Sequence, residues 1–215
     1  MNIRMHSSDC ANSWDTVFTG TTEYHWREPH PVVARLLRSV TAPRAGSVLD
    51  LGCGYGRHTL LAAEMGFSVT AMDVSPVALA FVRDRLSGVP GASLLQHNMS
   101  SIPYPFSEEE FDLVIAIQVI HHQASCGVEA TLAEINRILR PGGLALVSLP
   151  SRLQQGPRWE MLDDRTAIAA DGPEKGIVHF LCPEEDSARE LFGTFEVESV
   201  VLDQWDHWCV LARRS

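Results

Sequence analysis

The sequence predicts a three-layer α/β sandwich around a seven-stranded, mostly parallel sheet with an antiparallel last strand. Three observations predict it. Short apolar runs alternate with helical patterns from residue 47 to 150, and such a β-α rhythm implies parallel strands with right-handed crossovers. Residues 111–119, FDLVIAIQV, form the most apolar stretch and lack polar alternation, as a central strand covered on both faces does. Two final apolar runs, 195–202 and 208–212, lie too close together for a helical crossover, so they pair antiparallel.

Each element has a local reason. Over 29–40, Val32, Val33, Leu36, Leu37 and Val40 recur at helical spacing behind a proline. The first strand occupies 47–51 and a helix follows over 55–65, stopped by Gly66. A second strand, 67–72, ends at Asp73. Ser75 then caps a helix whose first residue is Pro76. A third strand covers 92–96. After the central strand, Val128, Leu132, Ile135 and Leu139 mark a helix that Arg140-Pro141-Gly142-Gly143 breaks before the strand 144–149. From 151 to 182 the rhythm fails; this stretch reads as an insertion near the ligand end. Pro183 with Glu184 and Glu185 opens the last helix, through Phe192.

The chain has 215 residues and 45% hydrophobic content, enough for one domain over 1–215 with a helical N-terminal lid over 1–45. A formal charge of −10 repels a nucleic-acid backbone and argues against that class of partner. The five cysteines contain no C-x-x-C pair, so free thiols in a reducing compartment are expected. The N-terminus has no apolar leader region, and no run approaches the roughly 18 apolar residues of a membrane span. The expectation is a cytoplasmic protein with no membrane partner. Its oligomeric state, monomer or dimer, stays open.

The chemistry concentrates in VLDLGCGYGR at 48–57. Asp50 precedes a turn with Gly52, Cys53, Gly54 and Gly56. A pyrophosphate-binding turn faces an anion, and a carboxylate beside it is unfavourable. The spacing is also G-x-G-x-G, with Arg57 where a dinucleotide motif puts its third glycine. S-adenosyl-L-methionine, which has no phosphate and carries an ammonium and a sulfonium, suits such a carboxylate. Asp73, about 20 residues further on at a strand end, is where an acid accepts two ribose hydroxyls.

These residues, with VTAMD, FDLVIAIQVIHH and LRPGGLALVSLP, resemble the successive motifs of class I S-adenosylmethionine-dependent methyltransferases, which have a Rossmann-like fold. The resemblance covers roughly 46–150. It implies that Asp50 and the glycine turn hold the amino-acid end of the cofactor. It implies further that Asp73 binds the ribose, Val74 and Met99 flank the adenine, and Gln118 lies under the cofactor. Many relatives carry an acid at the end of the third strand; this chain has Asn98, whose amide oxygen accepts the same bond from the adenine amine.

Methyl transfer from a sulfonium needs alignment of the reacting atoms and exclusion of water, and a base only if the acceptor loses a proton. His121 and His122 follow the central strand and are the candidates for that role. For acceptor binding the candidates are Tyr24 and Trp26 in the N-terminal segment and Arg152 and Trp159 in the insertion. No metal is expected, because His25 and His30 have no third ligand near them in the chain. No N-P-P-Y-like tetrapeptide follows the central strand, so a small-molecule acceptor leads. A non-catalytic cofactor-binding protein and an RNA or protein methyltransferase remain the alternatives.

Overall fold

The computed structural model describes residues 7–20, 27–40, 46–153, 155 and 157–215. Seven strands form the main sheet: β1 (Ser47–Leu51), β2 (Ser68–Asp73), β3 (Ala92–Gln96), β4 (Phe111–Ala116), β5 (Leu139–Pro150), β9 (Phe195–Leu202) and β10 (His207–Arg214). Their order is β3-β2-β1-β4-β5-β10-β9. β1 pairs parallel with β2 and β4, and β10 pairs antiparallel with both β5 and β9. The expected sheet is thus the observed one. The chain order reverses between β1 and β4, where open α/β sheets leave a crevice at the strand ends.

Alternation along β1 divides the core. Leu49 and Leu51 point to the layer of α5 (Ser125–Ile138) and α6 (Glu185–Leu191), among Leu132, Ile135 and Phe192. Val48 points the other way, to α2 (Pro31–Ser39) and α3 (Arg57–Glu64), among Val33, Leu37 and Ala62. α4 (Pro76–Arg85) lays Leu79 and Val82 on Ala71 of β2. Ser75 caps α4 by accepting from the Ala78 N–H at 3.0 Å.

The structure departs from the sequence reading in two places, the start of β5 and a helix before the predicted N-terminal one, and it builds the 151–182 insertion from short strands. β5 begins at Leu139 rather than 144: Leu139 pairs with Phe111, the chain bulges, and pairing resumes at Leu144 with Leu113. The insertion has a sheet of its own, β6 (Trp159–Met161), β7 (Thr166–Ala169) and β8 (Val178–Phe180), all antiparallel. A helix, α1 (Ser7–Gly20), precedes the predicted N-terminal one and is anchored where the Tyr55 hydroxyl donates to the Phe18 carbonyl at 2.8 Å. Among the described residues, no helix is long and apolar enough to cross a membrane.

Ile135 is fully buried between α5 and the sheet. Ile135→Ala should lower unfolding free energy by about 2–5 kcal/mol, read as a shifted urea midpoint at unchanged slope.

Candidate functional site

The end of β2 builds the glycine turn. The Met72 carbonyl accepts from the N–H groups of both Gly52 and Cys53, at 2.7 and 3.0 Å. Asp73 Oδ2 accepts from the Gly54 N–H and Oδ1 from the Ser75 N–H, each at 2.9 Å. Gly52 has φ +65°, and a Cβ there would lie 2.1 Å from Val119 Cγ2. The requirement for glycine at 52 is therefore contact with the chain leaving β4, in a left-handed conformation that L side chains resist.

A two-lobed cleft opens above this turn. One lobe, of about 520 Å³, is lined by Gly52, Asp73, Val74, Asn98, Met99 and Gln118, with Trp14 and Phe18 of α1 and His122 at its edge. The other, of about 630 Å³, is lined by Cys53, Gly54, Tyr55, Arg57, His121, Glu174 and His207 and shares Gly52, Gln118, His122 and the two α1 aromatics with the first.

Burial raises Asp73 from the ordinary carboxylate range to about 6, against the opposing backbone N–H bonds. Each of its oxygens keeps a lone pair beyond the bond it already accepts. Burial likewise drives the Cys53 thiol well above its usual range, with Asp73 and Asp50 adding to the effect. Asn98 Oδ1 accepts from the Ser100 N–H at 2.9 Å, so the oxygen proposed for the adenine amine already stabilises a turn. Gln118, at φ +59°, donates its N–H to Ser148 Oγ and accepts from Arg57 Nη2 through its side chain, at 2.7 and 2.8 Å.

Asp50 lies outside both lobes. It is 1% exposed, accepts from the Thr59 hydroxyl at 2.6 Å and faces His58 Nδ1 at 3.9 Å. Its charge acts from beneath the turn. Arg57, noted in the sequence only as a missing glycine, lines the second lobe; burial lowers it to about 10, with Asp50 pulling the other way.

His121 and His122 are both brought to the cleft. Burial, with the neighbouring histidines adding to it, holds His121 well below the usual imidazole range. The same burial, with His179 next in importance, lowers His122 to about 3. A ring so reluctant to protonate is a weak proton acceptor near neutral pH. The Trp14 ring packs edge-on against His122, with centroids 4.6 Å apart.

The acceptor candidates fare differently. Arg152 is a correction: its side chain pairs with Asp206 and lines neither lobe, because the chain leaving β5 carries it to the turn before β10. Trp159 also lies outside the lining, with its ring 4.7 Å from that of His179. Tyr24 and Trp26, together with His25, lie outside the described residues. The aromatic cover comes instead from Trp14 and Phe18. Their i, i+4 spacing on one helix face was the signal for them, obscured by the polar residues around it. His30 is a helix cap: its Nδ1 accepts from the Val32 N–H at 3.3 Å, and its Nε2 meets Asp203 Oδ2 at 3.0 Å.

Comparison with known proteins places this geometry. Residues 48–143 match the methyltransferase domain family. The malonyl-[acyl-carrier protein] O-methyltransferase of Salmonella typhimurium is 33% identical over 153 residues, 68% of this chain and 57% of that one. The chain spans about half the length of the curated relatives it matches. A protein from Pyrococcus horikoshii shares the fold with a TM-score of 0.73 at 20% identity, over 91% of this chain and 93% of that one. So does a 1,6-didemethyltoxoflavin-N1-methyltransferase of Burkholderia thailandensis, solved with 1,6-didemethyltoxoflavin and S-adenosylhomocysteine, at TM-score 0.66 and 19% identity, over 100% and 93%.

The Gly52–Val119 contact yields a stability test. Gly52→Ala should lose about 1–2 kcal/mol from the left-handed backbone and about 1–3 kcal/mol from overlap. In a Val119→Ala background the overlap with Cγ2 is removed while the 119 Cβ, 2.8 Å away, stays, so the second part should shrink without vanishing, as a double-mutant cycle by chemical denaturation will measure. Residues 48–143 thus belong to the methyltransferase domain family, and the sheet order with the crevice at its reversal is the Rossmann-like fold of class I S-adenosylmethionine-dependent methyltransferases.

Proposed function

We propose that this chain transfers a methyl group from S-adenosyl-L-methionine to an oxygen, nitrogen or sulfur atom of a small-molecule acceptor. The observation that carries the reading is the continuous two-lobed cleft, with Asp73 in one lobe and Gln118 and His122 at the junction of both. The cofactor's adenosine takes the first lobe. Its ribose hydroxyls donate to the free lone pairs of Asp73, and Val74 and Met99 flank the base. Its methionine end runs over Gly52 and Gly54 toward Arg57, whose guanidinium suits the carboxylate. The methyl group then points toward Gln118, His121 and His122.

In this arrangement the chain supplies alignment and a dry site. Trp14 and Phe18 roof both lobes and shield the sulfonium from water. The formal charge of −10 favours a small acceptor over a polyanion. The Burkholderia neighbour's name, an N1-methyltransferase for a small compound, supports the same choice.

Isotopically labelled methyl donor, incubated with the protein and a metabolite extract, should yield one labelled small product by mass spectrometry. Binding of donor without any labelled product would favour a sensor; label on RNA or protein would favour a macromolecular substrate.

Asp73 gives a pH signature. Its ionised form receives the ribose hydroxyls, and in the free protein it protonates at about 6. S-adenosylhomocysteine affinity should therefore be full above pH 6 and fall about tenfold per unit below it, by calorimetry. Asp73→Asn should bind more weakly at neutral pH and lose this dependence; an unaltered pH profile would remove Asp73 from the ribose.

A further inference from the structure

Four buried ring nitrogens beside the second lobe have no hydrogen-bond partner among the described residues: His121 Nδ1, His122 Nδ1, His179 Nε2 and His207 Nδ1. His121, His179 and His207 are 3–4% exposed. A buried polar atom left unsatisfied is costly, and three of these rings, His121, His122 and His179, stand close enough to share one partner, while His207 Nδ1 faces Asp203 Oδ1 at 3.8 Å. The fold brings them together deliberately. His121 and His122 stand on the turn after β4, and β8 is tied to that turn by the Phe180 N–H donating to the His121 carbonyl at 2.7 Å. This bond sets His179 beside the pair, with its ring 4.7 Å from that of His122 and 5.5 Å from that of His121.

His121, His122 and His179 each offer one ligand atom, all within 4.8 Å of one another. Glu174 Oε2 lies 3.0 Å from His179 Nε2, a charge contact whose angle falls short of a hydrogen bond. In a tetrahedral shell with bonds of about 2.0–2.1 Å, neighbouring donors stand roughly 3.3 Å apart. Glu174 and His179 are already near that separation, and the other rings need side-chain rotations of about 1 Å to reach it.

We propose that His121, His122 and His179, with Glu174 as fourth donor, bind a divalent transition-metal ion in the wall of the second lobe. Three imidazoles and one carboxylate suit zinc, iron, nickel or copper, and are a poor set for magnesium or calcium. The carboxylate offsets half of the ion's charge close to a cationic cofactor. Glu174, His121 and His122 line the lobe, so the ion faces its interior and can take one donor atom of an acceptor in exchange for Glu174. That last role rests on the methyltransferase reading; metal uptake does not. The grouping of His30, Asp203 and Cys209 is different, because the Asp203 oxygens already accept from Trp205 N, His207 N and the His30 ring.

Chelator-treated protein should bind one equivalent of zinc against a colorimetric competitor, and cobalt should give the visible absorption of a tetrahedral site. His122→Gln and His179→Gln should each weaken zinc binding by at least about 100-fold, and Glu174→Gln by about 10–100-fold. Thermal unfolding of each variant reports its integrity, and the volume-conserving Glu174→Gln carries the test if a histidine variant fails to fold. Folded wild-type protein that takes up neither ion, or uptake that is equal in all folded variants, would overturn the proposal. Calorimetry with S-adenosylhomocysteine on the same samples separates the two readings: metal uptake without cofactor binding sustains this site and sinks the methyltransferase assignment.

Discussion

The end of β2 is the constraint on which the cleft depends. One carbonyl, that of Met72, takes the N–H groups of Gly52 and Cys53, and one carboxylate, that of Asp73, takes those of Gly54 and Ser75. Three of these bonds lock the turn after β1 to the end of β2, and the fourth, from the Ser75 N–H, shapes the turn after β2. Without them the glycine turn would present loose, unsatisfied donors at a helix N-terminus. With them, the amides of Gly52, Cys53 and Gly54 are spent inside the protein and are not available to a phosphate. The same bonds keep Asp73 buried in the floor of the crevice, where its raised protonation range and its spare lone pairs both originate.

Charge is arranged around that floor in layers. Asp50 lies beneath the turn, held by Thr59 and close to His58, and Arg57 crosses from the start of α3 to Gln118. A buried carboxylate is tolerated where hydrogen bonds and a nearby cation receive it, and both are supplied here by α3. No oxygen of Asp50 reaches the cleft.

How much of this was legible in the sequence follows from how local each feature is. The strands, the cap at Ser75, the acid at the end of β2 and the antiparallel last strand were legible, because each is written in a few adjacent residues. Trp14 and Phe18 were not legible as lining of the cleft, since an aromatic pair four residues apart in a polar segment says nothing about what it covers. Arg152 meets Asp206, 54 residues further along the chain, only through the antiparallel pairing of β10 with β5. The histidine cluster was invisible for the same reason: His121 and His179 meet only through the bond between β8 and the β4 turn.

That bond also explains why the insertion matters more than its irregular sequence implies. The turn after β4 sits where the cleft lobes meet, and a three-stranded sheet is laid against it. The sheet delivers one ring, His179, and the loop before β8 delivers one carboxylate, Glu174, to a pair of histidines that would otherwise face only Trp14 and the cleft. A hydrophobic residue at 179 would pack as well beside Trp159 and leave fewer unsatisfied nitrogens. A polar group kept in such a place, at a standing loss of stability, is most economically explained by something it binds, and the lobe that Glu174 shares with His121 and His122 is where that ligand must enter.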